Sequence, residues 1–255
     1  MMKKPTTQLA VLLAALGLAL GAQAKDWPAP IKALEAQGVE VMGTFEAPGG
    51  LTGYAGLIRQ QPLAIYVTPD GKQAIIGTMI DGKGVELSEE PLNRLVNKPL
   101  TAKTWKQLEG STWIADGAKS APRVIYTFTD PNCPYCNKFW NDARPWVQAG
   151  KVQLRHIMVA ILTPTSAGKA AALLAAPDPQ AALAQHEQQQ RSGGMKPLAQ
   201  IAPKISAQLE ANAQLMQQLG FAATPAILYK DEDGYLKSMK GAPSAEMLNR
   251  ILGPR

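Results

Sequence analysis

A pair of cysteines between a predicted strand and a predicted helix places the strongest constraint on this fold. Cys133 and Cys136 are the only two cysteines among 255 residues. The apolar, β-branched run at 124–129 directly before them is typical of a buried strand. After them, large apolar residues recur at helical spacing: Phe139, Trp140, Ala143 and Trp146. The sequence therefore predicts a strand, a tight turn that carries both cysteines, and a helix.

Three kinds of site could use such a pair. A closed zinc site needs four ligands, and His156 and His186 lack the spacing that would complete one. A structural disulfide across so short a loop would stabilise little, because the entropic gain grows with loop length. A redox pair fits the pattern better than a metal site or a staple. At the helix start, free N–H groups favour a thiolate at Cys133, which we expect to be exposed, with Cys136 more buried.

The two residues between the cysteines refine this interpretation. Pro134 suits the first helical turn, where a missing N–H loses no hydrogen bond. Tyr135 is neutral at pH 7 and adds no positive charge to lower the pKa of Cys133. We therefore expect the helix dipole to be the main cause of a lowered Cys133 pKa, and the pair to be only mildly oxidising.

The N-terminal segment has the pattern of a secretory signal peptide. Lys3 and Lys4 precede an apolar run at 9–20, and Ala22-Gln23-Ala24 gives a cleavage site. A membrane anchor is the alternative, but the run is shorter than the ~18 residues that a spanning helix needs. The sequence therefore predicts a signal peptide over residues 1–24 and export to a compartment where disulfides form.

The remaining chain divides into three predicted parts. Residues 25–87 predict a small antiparallel sheet with one helix, and residues 88–111 predict a helical linker that breaks at Pro99, with Thr101 capping its second half. Residues 112–255 follow the order strand, helix, strand, several helices, hairpin and final helix. This is an α+β chain whose C-terminal part has α/β character. A domain of ~60 residues without a disulfide often pairs with a second copy.

A proline directly precedes the predicted strand 226–229. A cis peptide bond between Thr224 and Pro225 would let the Thr224 backbone pair with an extended substrate. A trans proline at the start of a strand is the alternative that the local sequence leaves open.

The charge pattern gives no sign of a nucleic-acid partner. The formal net charge is +6, and it falls to about +4 if Lys3 and Lys4 leave with the signal peptide (6 − 2 = 4). The basic residues are scattered and form no arginine-rich run.

These features together resemble the thioredoxin superfamily, and in particular its periplasmic disulfide isomerase branch. The resemblance rests on Cys133-Pro134-Tyr135-Cys136 after a strand, on Thr224-Pro225 before a late strand, and on the three-part organisation of nearly all of residues 25–255. It implies a cystatin-like N-terminal dimerisation domain, a helical linker and a C-terminal thioredoxin-like domain with a helical insertion. It also implies a V-shaped homodimer whose catalytic sites face a shared cleft.

The same resemblance implies roles for the site residues. Cys133 is the expected nucleophile, Cys136 the resolving thiol, and Pro225 a cis proline that faces the pair, with Thr224 before it. No cofactor is expected beyond the redox-active disulfide Cys133–Cys136, and no metal. A membrane thiol reductase of the DsbD type is the expected electron donor.

The expected function is disulfide isomerisation and reduction on client proteins in the periplasm. It includes the reduction of sulfenylated cysteines and chaperone-like binding of clients. Two alternatives stay open at this point: a net disulfide oxidase, and a protein that is primarily a holdase chaperone.

Overall fold

The computed structural model describes residues 26–254. The predicted signal peptide lies outside the described residues. Between residues 26 and 254, no helix has both the length and the apolar character needed to cross a bilayer.

The N-terminal part is a helix packed on a four-stranded antiparallel sheet. Its elements are α1 (Ala29–Ala36), β1 (Glu40–Glu46), β2 (Thr52–Ile58), β3 (Gln61–Val67) and β4 (Ala74–Ile76). The strands lie in chain order, so β1 and β4 form the two edges. Ile31 of α1 packs with Tyr54 and Ile65 on one face, and Val96 from the following segment packs with Tyr66 on the other. The predicted helix and antiparallel sheet are therefore present.

A nearly continuous helical segment follows. It consists of α2 (Glu89–Leu92), a π-helical turn (Asn93–Asn97) and α3 (Lys98–Gly110). The predicted break at Pro99 is wrong, because the helix continues through this proline. The wider π-helical turn directly before it, in which the Lys98 N–H donates to the Asn93 carbonyl oxygen, accommodates a residue without an N–H. The predicted cap at Thr101 is also wrong. The Thr101 hydroxyl instead accepts a hydrogen bond of 2.8 Å from the Leu236 N–H, which ties the linker to the C-terminal part.

The C-terminal part is built on a five-stranded mixed sheet. Its elements are β5 (Trp113–Asp116), β6 (Arg123–Thr129), α4 (Pro134–Gln148), β7 (Val152–Met158), α5 (Ser166–Leu174), α6 (Pro179–Gln188), a 3₁₀ turn (Gln190–Ser192), α7 (Pro203–Gln218), β8 (Ala226–Lys230), β9 (Leu236–Lys240) and α8 (Ala245–Leu252). The strand order is β5-β7-β6-β8-β9. Strands β6 and β7 are parallel, and the other pairs are antiparallel. The short edge strand β5 was not predicted.

Strand β6 lies at the centre of the sheet and is buried on both faces. On one face, Ile125 packs with Trp146 of α4 and Ile251 of α8. On the other face, Phe128 packs in a cluster that includes Leu108 of α3. Helices α5, α6 and α7 form the insertion between β7 and β8. Because β6 is held from both sides, the chain that leaves its carboxyl end starts from a fixed point.

Candidate active site

A tight turn at residues 130–133, the cysteine turn, joins β6 to α4. The Cys133 N–H donates a hydrogen bond of 3.0 Å to the Asp130 carbonyl oxygen and closes the turn. The Asn132 N–H donates to the Asp130 carboxylate at 2.8 Å. Helix α4 then begins at Pro134, with Cys133 as its N-cap residue. Both predicted cysteines therefore lie at the first turn of the helix.

The Cys133 sulfur is surrounded by backbone groups. It accepts a hydrogen bond of 3.2 Å from the Cys136 N–H. Its thiol donates to the Thr224 carbonyl oxygen at 3.4 Å. The predicted exposure of Cys133 is wrong: only 2 % of the residue is accessible, against 3 % for Cys136, because the Thr224 loop covers the sulfur. The exposed member of the motif is Tyr135, at 63 %.

The surroundings drive the acidities of the two thiols apart. The pKa of Cys133 falls to about 7, chiefly through its hydrogen bond with the Cys136 side chain. Burial raises the pKa and so opposes this fall. Thr224 and the N–H groups of Cys136 and Tyr135 lower the pKa further. Burial raises the pKa of Cys136 well above its ordinary value, and the neighbouring Cys133 sulfur adds to the rise. The helix backbone contributes as predicted, but the partner thiol has the larger effect. At pH 7, roughly half of Cys133 is therefore thiolate.

The loop before β8 brings Thr224 and Pro225 against the cysteines. The Thr224–Pro225 peptide bond is cis. The Thr224 hydroxyl is buried and makes no hydrogen bond of ordinary geometry. It nevertheless helps to lower the pKa of Cys133. Cys133, Pro134, Tyr135 and Cys136 thus form the cap and first turn of α4, and Thr224, next to the cis Pro225, contacts Cys133 through its carbonyl oxygen.

The insertion clamps the cysteine turn through residues to which the sequence assigned no role. The Asp130 carboxylate is buried and accepts hydrogen bonds from the Ile161 and Leu162 N–H groups at 2.8 and 3.0 Å. It also accepts one of 2.8 Å from the Ser166 hydroxyl. Lys169 of α5 donates to the Asn132 amide oxygen at 2.8 Å. An aspartate directly after a buried strand and before a turn is the sequence signal that could have revealed this clamp.

A buried ion pair between Asp116 and Arg144 holds α4 against strand β5. Asp116 of β5 binds Arg144 of α4 through both carboxylate oxygens. Burial alone would raise the pKa of Asp116, but hydrogen bonds with His156 and Arg144 outweigh it and hold the pKa at about 2. Arg144 also lies over the Trp140 ring at 4.0 Å. This pair joins the catalytic helix to the far edge of the sheet.

The two histidines lie apart from each other in the fold. The His156 Nδ1 atom lies 3.0 Å from the Thr129 hydroxyl. His186 contacts the cysteine turn through the Pro131 carbonyl. Across the described part of the chain, no group of three or more His, Cys, Asp or Glu side chains is arranged to hold a metal ion.

Known proteins are similar to this chain over nearly its whole length. The thioredoxin-like domain family matches residues 114–253. The thiol:disulfide interchange protein DsbG of Pseudomonas aeruginosa is 50 % identical over 243 residues, covering 95 % of each chain. The DsbG of Escherichia coli is 43 % identical over 246 residues, covering 95 % of this chain and 98 % of its own.

A solved structure shows the same C-terminal architecture. The catalytic domain of Proteus mirabilis ScsC is 25 % identical, with a TM-score of 0.52, and covers 61 % of this chain and 96 % of its own. The mixed sheet, the cysteine turn and the near full-length similarity lead to one conclusion. The chain belongs to the DsbG family of thiol:disulfide interchange proteins, within the thioredoxin superfamily.

Proposed function

We propose that this chain is a periplasmic thiol:disulfide oxidoreductase that reduces and isomerises disulfides of client proteins. The observation that carries the proposal is the placement of two buried thiols in one helical turn, where Cys133 is the N-cap residue and its sulfur accepts from the Cys136 N–H. This placement lowers the pKa of Cys133 and raises that of Cys136. Cys133 is the group that forms the thiolate, and Cys136 stays protonated beside it. The predicted signal peptide and the family of its relatives support the periplasm as the place of action.

The proposed reduction proceeds in two exchanges. The Cys133 thiolate attacks one sulfur of a client disulfide, and a mixed disulfide forms as the other client sulfur leaves as a thiolate. Cys136 then gives up its proton and attacks the Cys133 sulfur. The client leaves with two thiols, and the protein keeps a Cys133–Cys136 disulfide. In isomerisation, a second client thiol attacks instead, and Cys133 is released reduced.

A sulfenylated client cysteine enters the same sequence. The Cys133 thiolate attacks the sulfenic sulfur, and the S–O bond breaks as the S–S bond forms. The departing hydroxide takes a proton and becomes water. Cys136 resolves the mixed disulfide as before, so two electrons pass from the dithiol to the client. A membrane thiol reductase of the DsbD type would then restore the dithiol.

The exposed apolar edge of the N-terminal sheet favours a homodimer, in which clients would bind between the two copies. Its edge strand β4 exposes Ile75 and Ile76, and the loop beyond it exposes Ile80 and Val85. An apolar edge strand with free backbone groups is a template for pairing with another chain. We infer that a second copy pairs here and that the resulting cleft gives the protein its chaperone-like binding. Replacing Ile75 and Ile76 with lysine should yield a monomer by sedimentation, and an unchanged mass would contradict this interface.

A trapping experiment tests the proposed roles of the cysteines. In Cys136→Ala, the mixed disulfide should accumulate, because the resolving thiol is absent. Mass spectrometry of nonreducing complexes should locate the bond at Cys133. The matched control is Cys133→Ala, which should capture no client. Failure of Cys136→Ala to trap clients, or trapping by the control, would contradict the assignment.

Two further measurements separate this function from the alternatives. A net oxidase predicts a mostly oxidised pair in the intact cell, whereas the proposed function predicts mostly free thiols under alkylation. A double Cys→Ser variant that still suppresses aggregation of an unfolded client would show that binding is independent of redox chemistry. Loss of that suppression would show that chaperone-like binding is not a separate function.

A further inference from the structure

His186, near the end of α6, makes direct contact with the cysteine turn. The residue is 1 % exposed. Its Nε2 atom lies 2.8 Å from the Pro131 carbonyl oxygen, and the Met195 N–H donates to its Nδ1 atom at 2.9 Å. A carbonyl can only accept and an N–H can only donate, so the ring is neutral with its proton on Nε2. The proposed mechanism does not use this buried imidazole.

The hydrogen bond from His186 acts on the central peptide of the cysteine turn. That peptide joins Pro131 to Asn132, inside a turn closed by the 3.0 Å bond from Cys133 to Asp130. Its N–H donates to the Asp130 carboxylate at 2.8 Å, and its carbonyl accepts from His186. Rotation of the central peptide is what interconverts the common β-turn types. With a partner on each edge, this peptide is held in one orientation.

The orientation of this turn matters to both sulfurs. The turn ends at Cys133, whose sulfur accepts from the Cys136 N–H, so its placement over the helix start depends on the preceding backbone. The turn begins at Asp130, whose backbone N–H lies where it opposes the rise in the pKa of Cys136. A rotated Pro131–Asn132 peptide would also direct the Pro131 carbonyl oxygen towards the Asp130 carboxylate, where the two acceptors repel.

We propose that His186 is a positioning residue for the nucleophile: by holding the Pro131 carbonyl, it fixes Cys133 over the first turn of α4. The inference rests on the proposed role of Cys133. The helical insertion would then help to position the nucleophile, because its residue His186 contacts the backbone of Pro131, two residues before Cys133.

Gly194 provides a second, independent observation. A Cβ atom at Gly194 would lie 2.5 Å from the His186 Nδ1 atom and 2.8 Å from Cε1. Only glycine therefore lets the segment after the 3₁₀ turn lie against the imidazole, where the Met195 N–H reaches Nδ1. The Gly193-Gly194 segment, which follows the 3₁₀ turn, thus also positions the ring that holds the cysteine turn.

The test measures the pKa of Cys133 in the reduced, full-length protein. Iodoacetamide labelling of Cys133 is followed against pH, with the label located by peptide mass spectrometry. His186→Asn keeps an acceptor for Met195 but loses the donor to Pro131, and it should raise the pKa of Cys133 by ~0.5–1 unit. His186→Gln keeps a donor at the reach of Nε2, and it should restore a value near that of the wild type.

Gly194→Ala should displace the ring from the opposite side and give a shift like that of His186→Asn. The matched control is Gly150→Ala. Gly150 also has a positive φ, +69° against +58° for Gly194, but a Cβ there meets no atom within 4 Å. Gly150→Ala therefore places an alanine at a similarly unfavourable positive φ without contacting the imidazole, and it should leave the pKa of Cys133 unchanged.

The pKa is a sharper readout than the rate. A rise of one unit would lower the thiolate fraction at pH 7 about fivefold, but the more basic thiolate is roughly threefold more nucleophilic, so the rate would fall only about twofold. A folded His186→Asn or Gly194→Ala protein with the wild-type Cys133 pKa would overturn the inference. If His186→Asn does not fold, as judged by its melting curve, Gly194→Ala decides alone. An ordinary thiol pKa at Cys133 in the wild type would instead contradict the proposed function.

Discussion

The two cysteines of one helical turn differ sharply in their acidity, although only two residues lie between them. Cys133 caps the helix and receives hydrogen bonds from its partner thiol and from free N–H groups, whereas Cys136 lies deeper, where burial dominates. Within residues 26–254, no lysine, arginine or histidine contributes to either shift. Position at a helix start, together with the partner thiol, is therefore enough to make Cys133 the more acidic of the two thiols, as the proposed mechanism requires.

Replacing each cysteine in turn should have the largest effect on the reduction of a model disulfide. Cys133→Ser should abolish reduction of a model disulfide, because the remaining thiol, Cys136, is buried and stays protonated. Cys136→Ser should lose multiple turnover but keep a single capture event at Cys133. Product release against time, with the trapped complex quantified on nonreducing gels, distinguishes the two variants. Equal residual turnover in both would contradict the asymmetry.

The pH dependence of client reaction should follow Cys133. With a pKa of about 7, the thiolate fraction rises about tenfold between pH 6 and pH 8 and then levels off. Stopped-flow measurement of mixed-disulfide formation in a reduced Cys136→Ser background tests this trend. Because the Cys136 thiol is the largest influence on Cys133, we expect the midpoint in that background to lie above the wild-type value.

Thr224→Val should make Cys133 less acidic by a change in the loop that covers its sulfur. Valine keeps the shape of the side chain but removes the hydroxyl that helps to lower the pKa of Cys133. We expect the pKa of Cys133 to rise by ~0.5 unit, with no loss of fold, as measured by thiolate absorbance. A fall in the pKa would show that the buried hydroxyl does not stabilise the thiolate.

Tyr135→His should widen the difference in pKa between Cys133 and Cys136 by a smaller amount. A protonated histidine would add a positive charge next to Cys133, and it should lower the pKa of that thiol by a few tenths of a unit. Residue 135 is largely exposed, so the effect should shrink as salt is added. Phenylalanine at the same position is the neutral control. A shift that persists at high salt would point to a cause other than charge.

The sequence was sufficient to predict the strand, the cysteine turn, the helix and the Thr224–Pro225 pair. These features depend on local patterns: a β-branched apolar run, a helical period and a proline before a strand. The final helix has an equally local signal: Ser244 is its N-cap residue, and the Ser244 hydroxyl accepts from the Met247 N–H at 3.3 Å.

The features that the sequence could not predict depend on residues far apart in the chain. Cys133 is buried because the Thr224 loop, 91 residues away, covers it. Strand β5 is four residues long and depends on pairing with β7, so its own pattern is too short to reveal it. The contact of His186 with Pro131 spans 55 residues and has no local signal. Pro99 was misread because the π-helical turn before it keeps the linker continuous.

The most direct test compares both cysteines in the same reduced wild-type chain. Labelling of Cys133 and Cys136 with iodoacetamide is measured at a series of pH values, and peptide mass spectrometry assigns each rate. We predict that the Cys133 rate reaches half of its maximum near pH 7 and that Cys136 stays at least ~50-fold slower at that pH. Equal rates at pH 7, or faster labelling of Cys136, would contradict the assignment of Cys133 as the nucleophile.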